Sequence, residues 1–446
     1  MDGHILLLFL NHITTIEFYE KTSEMEQPTS VATIRLALAQ EKTVTSKRKE
    51  FLREIDKRRD PICEHKSASI SYHLTTELVQ AGQSTTQNWM VSQVCGGSGD
   101  DRELSTFSDE LYRLPWVATA VPVNSPTSSS TVFLEKPTGH VFCFLPLPLG
   151  LESPTGLRVH VHGYFAVDSN RHHLKERTLE QLGKTITDRD LLWNEYLVSQ
   201  LFPRALVNLV LFVAETAHTD SDALASRDAI FAVIPQLDEV KDQWKPLASG
   251  FLKELPHLPV FYSPVNGGHF LSADEVLFDG VEDNTPIADM IRRLLHQNGT
   301  NLVSVPEFVI DQLGPAAARV TASLVCTAIR NTDRDLLLTD DNRTILLQYL
   351  ADNLEDKTEL VGTRLLAIAD GSWMEFTSCA TASPVFVDSP DHSRSLLPGL
   401  DRLFVRNDVV DICREIISTT DDGEFFCAAA IIPLVGTFAE HTGMYL

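Results

Sequence analysis

The chain has 446 residues, 43% of them hydrophobic and 22% charged, with 37 basic against 61 acidic side chains and a formal charge of −24. At about 100–200 residues per domain this is roughly two to four domains, or a piece of something larger. The acidic balance argues against duplex nucleic acid or an anionic membrane surface as the main partner, because phosphate binding needs a basic face.

Seven cysteines stand at 63, 95, 143, 326, 379, 413 and 427, none in a C-x-x-C pair. Zinc and redox motifs are therefore unsupported, and the cysteines read as small core residues of a reducing compartment. No uninterrupted apolar run approaches the roughly 18 residues of a membrane span. The segment ALVNLVLFVA at 205–214 reads as a buried helix. The apolar start lacks the basic region and cleavage site of a signal peptide.

In chain order, ILLLFLNHITTIEFYE (5–20) opens as a buried strand and continues as a half-exposed one. A buried strand this early suggests a chain that begins inside a fold. SVATIRLAL (30–38) alternates as a strand, and KRKEFLREIDKRRD (47–60) reads as a solvated helix before Pro61. SASISYHLTTELV (67–79) and QNWMVSQVC (87–95) are rich in β-branched and aromatic residues and predict paired strands. Gly97-Ser98-Gly99 has neither the context nor the Lys-Ser/Thr of a phosphate loop, and residues 122–130 read as a loop.

GHVFCFLPLPL (139–149) predicts a strand with a proline-spaced exit. In LRVHVHGYFAVD (157–168), Arg158, His160 and His162 alternate with Val159, Val161 and Gly163. The histidine face reads as solvated or hydrogen-bonded. A further pair, His172-His173, follows, but nothing gives these side chains a metal-ligand spacing. From Thr187, read as an N-cap with Asp190 three residues on, a helix carries Leu191, Leu192, Tyr196, Leu197 and Leu201 on one stripe. Pro203 kinks or splits it, and Trp193 reads as a packing anchor.

The second half alternates helices with short strands: strands near 259–262, 270–279 and 302–305, and helices over 283–297 and 342–354. A hairpin is expected around Asp370-Gly371, a strand at 384–387, and helix-rich chain after 396. The fold class expected is α/β (α+β mixed), with layered mixed sheets and flanking helices. Nucleophile, Walker, zincin and EF-hand motifs are absent, and acidic turns such as 338–341 and 420–424 read as solvated. Bottom-up, nothing identifies an enzyme.

Several segments in order carry a resemblance: residues 5–20, TGHVFCFLPLPLGLESPTGLRVHVHGYFAVDSNRHHL (138–174), DRDLLWNEYLVSQLFPRALVNLVL (188–211), TELVGTRLLAIADGSWMEF (358–376) and SLLPGLDRLFV (395–405). Together they resemble the repeating unit of the sacsin family, giant cytosolic co-chaperones. Such a repeat begins with an ATP module like that of the ninety-kilodalton heat-shock chaperone. Its D-x-G-x-G loop, second Gly-rich loop and helical Asn with an acid are not found in this sequence.

The resemblance implies a middle-domain-like α/β domain at 1–220 and a second α/β domain at 221–446, behind the ATPase front end. It implies a cytoplasmic chaperone or scaffold segment without cofactor or metal, binding client polypeptides, other chaperones or neighbouring repeats. The alternative is a truncated piece of an ATP-hydrolysing chaperone. By analogy, Arg171 in VHGYFAVDSNR (161–171) then assists hydrolysis at the γ-phosphate, as an arginine finger does. An unrelated enzyme with a diffuse active site is the remaining rival.

Overall fold

The structure is a computed structural model that describes residues 3–21, 27–57, 67–96, 113–123, 139–147, 155–177, 187–219, 230–279, 285–331, 339–377, 385 and 399–418. It is mixed α/β. The chain divides into two compact units. The first comprises Met1–Tyr262, His269–Glu275 and Val305–Ala317; the second comprises Ser263–Gly268, Val276–Ser304 and Ala318–Leu446.

The first unit is built on an eight-stranded sheet. Its strands are β1 (Thr15–Glu20), β2 (Thr29–Leu36), β3 (Ala68–Gln80), β4 (Gln83–Cys95), β5 (Trp116–Val123), β6 (Val141–Cys143), β7 (Leu145–Pro146) and β8 (His160–Gly163). The spatial order is β1-β2-β3-β4-β5-β8-β6-β7. Neighbours are antiparallel except β6 and β8, which run parallel. The spine is the β3–β4 hairpin, paired from Ala68↔Cys95 to Gln80↔Gln83. Its two-residue turn uses Ala81 (φ 51°) and Gly82 (φ 76°), the mirror-image geometry that matches strand twist.

Helix α1 (Leu38–Lys57) lies on one face and buries Val44, Arg48, Phe51 and Ile55, a stripe at helical spacing. The other face is covered by α2 (Arg189–Tyr196), a π-helical turn (Leu197–Leu201) and α3 (Phe202–Thr219). The Thr119 hydroxyl donates to the Ala205 carbonyl at 3.2 Å. With both faces covered, the central strands are buried on both sides, and the polar residues Thr76, Ser92, Gln93 and Thr119 are buried within them. Strand β5, which the sequence reading does not anticipate, is buried from Trp116 to Val121.

Three sequence expectations are corrected. Residues 3–7 form a 3-10 turn, not a strand, with Ile5, Leu7, Leu8 and Phe9 buried against the sheet. A continuous apolar run does not by itself distinguish the two, and side-chain donors satisfy its carbonyls where strand neighbours would have. The N-cap of α2 is Asp188, whose carboxylate accepts the Asp190 amide at 2.9 Å; Thr187 stands one residue before it. Pro122 and Val123 belong to β5, not to a loop.

The helical run continues through Pro203 with a π turn just before it, and helix α4 (Lys245–Glu254) crosses so closely that a Cβ on Gly250 would meet Pro203 Cγ at 2.7 Å. The run Arg189–Thr216 is long and apolar enough to cross a membrane, although no uninterrupted apolar stretch within it is. In this fold 61% of its most apolar window is buried inside the protein, as for a core helix.

The second unit has its own core, including Ile291, Leu294, Val325, Leu346, Leu350, Ile368 and Phe376. Its helices include Pro286–Gln297, Ala322–Asn331, Asp340–Asn353 and Val410–Ser418. Thr285 caps the first, accepting the Ala288 amide, with Pro286 at the first helical position. Lys357 is buried at the end of Asp340–Asn353 and donates to the carbonyls of Ala351 and Leu354. The expected Asp370-Gly371 hairpin pairs Leu366↔Met374 and Ala367↔Trp373. Of the strand expected at 384–387, only Val385 lies within the described residues, outside any strand. The Gly97–Gly99 loop lies outside them, as do residues 419–446.

Candidate functional site

Three non-glycine residues among those described have positive φ: Ala81, Phe144 and Arg171. Ala81 serves its hairpin turn. The other two meet at one corner of the first unit, around Cys143. A bulky residue in the left-handed region costs on the order of 1–3 kcal/mol and persists only where its surroundings over-determine it.

Phe144 (φ 70°) joins β6 to β7 and is 36% exposed. Its amide donates to His162 Nδ1 at 3.2 Å, and its ring packs edge-on to Tyr164 with centroids 4.8 Å apart. His160 sits one step along β8, and its Nδ1 accepts the His140 amide at 3.1 Å. His140 stacks on His160 at 5.2 Å, and Phe9 stacks on His162 at 5.1 Å. Of the two readings of the histidine face, solvated or hydrogen-bonded, the hydrogen-bonded one holds. Strand β8 lies between β5 and β6, both its faces are covered, and His160 and His162 are 6% and 1% exposed. Burial pushes His160 down to about 3, with the neighbouring His140 charge adding to it. Burial pushes His162 down to about 4, partly offset by the Phe142 carbonyl. Both are neutral imidazoles; Nδ1 of His160 accepts the His140 amide, and Nδ1 of His162 lies against both the Phe144 amide and the Phe142 carbonyl.

Arg171 (φ 57°) is exposed on the loop after this strand. The loop closes by a Val167↔Leu174 bridge. Asp168 fixes its interior by accepting the His172 amide at 2.7 Å and the His173 amide at 3.3 Å. The Arg171 amide donates to the Asp168 carbonyl at 3.0 Å. Helix α2 staples the base. Asn194, 6% exposed, accepts the Ala166 amide and donates to the carbonyls of Ala166 and Lys175, all within 2.9 Å. Asp190, on the first turn of α2, accepts from Arg113 at 2.6 Å and from Lys175. Burial works against that carboxylate, but Lys175 and Arg113 outweigh it and hold its pKa below the usual range.

The Arg171 charge acts on the Cys143 thiol and favours its ionised form. Burial nonetheless raises the thiol's pKa, so Cys143 packs as a neutral group and is no activated nucleophile. The corner therefore offers one exposed cation on a braced loop beside a half-exposed aromatic ring. Sequence reasoning placed Arg171 on the loop but missed Asn194, Asp168, Asp190 and Cys143 as its supports. The legible signal was Asn194 beside Trp193 on an otherwise apolar helix face. His172 and His173 stay exposed on the same loop, and no cluster of three metal-ligating side chains forms among the described residues. The free cysteines Cys95, Cys326 and Cys413 are buried core residues.

No known family model matches the chain, and no solved structure matches it. The chain is similar to human sacsin, 26% identical over 423 residues. That alignment covers 91% of this chain and 9% of sacsin, so the chain spans about a tenth of that relative's length. The resemblance read from the motifs is borne out.

Proposed function

We propose that this chain is a sacsin-like chaperone or scaffold segment of the cytoplasm, which holds client polypeptides and acts without an ATP site or catalytic centre of its own. What carries the reading is the similarity to sacsin along nearly the whole chain. Its partners are unfolded clients, other chaperones or neighbouring repeats of a larger protein. The purified chain is expected to suppress aggregation of heat-unfolded citrate synthase at near-equimolar ratio. Unchanged aggregation refutes the reading. Titration calorimetry with Mg-ATP is expected to give no binding heat, and saturable heat refutes the absence of a nucleotide site.

A second reading is favoured by one observation, the strained and braced Arg171 loop. In an intact parent carrying an ATP module, Arg171 supplies positive charge to the transferred γ-phosphate. Arginine fingers contribute about 10³–10⁵-fold in other systems. In such a parent, Arg171→Ala is expected to cut hydrolysis by at least about tenfold, and Arg171→Lys by less. Equal rates sink this reading and leave the first intact.

A further inference from the structure

Strand β1 stands at the end of the sheet, and among the described residues only β2 pairs with it. Every β1 residue except Ile16 is exposed. Ten large hydrophobic residues are exposed among those described; Phe18 and Tyr19 lie on this edge, Ile13 on its approach and Val31 on the neighbouring β2. Grouped apolar residues on an open edge mark an interaction surface; scattered ones do not. Pairing with β2 shifts between Phe18 and Tyr19, where Val31 of β2 is the extra, unpaired residue of a bulge. The strand carries Glu17 and Glu20 and no basic residue. Glu17 accepts from the Tyr19 hydroxyl at 2.5 Å, which holds the ring and the carboxylate together.

We propose that the free edge of β1 takes an extended polypeptide of alternating apolar and basic residues as an added strand. This rests on the client-binding reading and gives that client a place and a chemistry. Main-chain hydrogen bonds supply strand addition regardless of sequence, and side chains on alternate positions supply choice. Phe18, Tyr19 and Val31 offer apolar contact; Glu17 and Glu20 prefer lysine or arginine opposite them. The same carboxylates argue against a second copy of this chain as occupant, because two β1 edges would bring like charges together. Strand β1 is only six residues long, which favours a short segment over an open-ended sheet.

The test is fluorescence anisotropy of a labelled eight-residue peptide alternating valine and lysine, with a valine–glutamate peptide as counterpart, against the full chain. The lysine peptide is expected to bind at least about tenfold more tightly than its counterpart. The double variant Glu17→Lys/Glu20→Lys is expected to reverse that preference, and Phe18→Pro to abolish binding of both. Circular dichroism confirms that each variant is folded. The double variant changes only exposed side chains, so it keeps the test valid if the proline variant unfolds. The placement is overturned if folded variants bind both peptides as the unaltered chain does, or if neither peptide binds. Suppression of citrate synthase aggregation separates the two levels. Suppression without edge-dependent peptide binding overturns the placement alone. No suppression by the unaltered chain overturns the client reading, and the placement with it.

Discussion

Acidification is the sharpest probe of the first unit. His160 and His162 are buried as neutral imidazoles with pKa values near 3 and 4, whereas an unfolded histidine titrates near 6.5. The unfolded chain therefore binds more protons than the folded one below pH 6.5, and stability falls as pH falls through that value. The loss continues until the folded-state values are reached. Each pH unit below 6.5 costs about 1.4 kcal/mol per histidine. At pH 5 each is about 2 kcal/mol short of its contribution at pH 7.5, and the pair about 4 kcal/mol, a large share of a domain stability of about 5–15 kcal/mol. Asp190, whose folded pKa is lowered, withdraws its contribution only as pH falls toward and below the usual carboxylate range near 4. Above pH 5 the two histidines thus dominate the loss, opposed by Glu176, whose carboxyl is raised above the usual range by burial. Urea unfolding followed by tryptophan fluorescence at pH 7.5, 6 and 5 measures the loss, and NMR of the imidazole protons assigns it. A urea midpoint unchanged between pH 7.5 and 5 refutes the reasoning. So does either imidazole titrating above pH 6 in the folded chain.

Three substitutions probe the packing. Arg48 is 1% exposed and donates to the carbonyls of Leu7, Leu8 and Leu10 and to the Tyr72 hydroxyl. Arg48→Met strands those carbonyls, and about 3 kcal/mol of stability is expected to be lost by urea denaturation; a change below about 0.5 kcal/mol refutes the role. Asn194→Ala removes three buried hydrogen bonds and is expected to cost about 2–3 kcal/mol. Hydrogen exchange should rise at the amides of Ala166, Arg171, His172 and His173, and unchanged protection there refutes the staple. Gly250→Ala forces a Cβ to within 2.7 Å of Pro203 Cγ. It is expected to lower stability by about 1–3 kcal/mol, and a neutral or stabilising result shows that the two helices separate freely.

Elements with a strong local signature were readable in advance. The β3–β4 pair announces itself through its β-branched and aromatic residues, and the Asp370-Gly371 turn through its dipeptide. Readings failed where tertiary contact overrides local pattern. The run 5–10 is apolar enough for a buried strand, but Arg48 satisfies its carbonyls from helix α1, so it turns as a 3-10 segment instead. That same arginine sits in the most basic stretch of the chain, which charge counting alone assigns to solvent. Its environment comes from Tyr72, itself bonded to Gln93 at 2.7 Å, on strands 24 and 45 residues further on. Alternation placed His160 and His162 correctly on one face of β8, but whether that face is wet depends on Phe9, Trp89 and Phe142 packing against it.

The corner at Arg171 was half legible for the same reason. A strand running into a polar loop places an arginine at the surface; it does not show that the loop is rigid. Rigidity comes from Asp168 inside the loop and Asn194 beneath it, and the second of these is 23 residues beyond Arg171 in the chain. The left-handed backbone at Phe144 and Arg171 is what an unbraced loop would relax, because each conformer costs more than thermal energy near 0.6 kcal/mol. Its persistence at two residues around one thiol, each with its amide engaged, means that the surrounding hydrogen bonds outweigh that cost. Strain that is so anchored holds the backbone of the loop in a fixed place. A fixed backbone presents the exposed Arg171 cation from one position, whereas the edge of β1 presents apolar and acidic side chains along an open strand. The two surfaces of the first unit thus differ in chemistry.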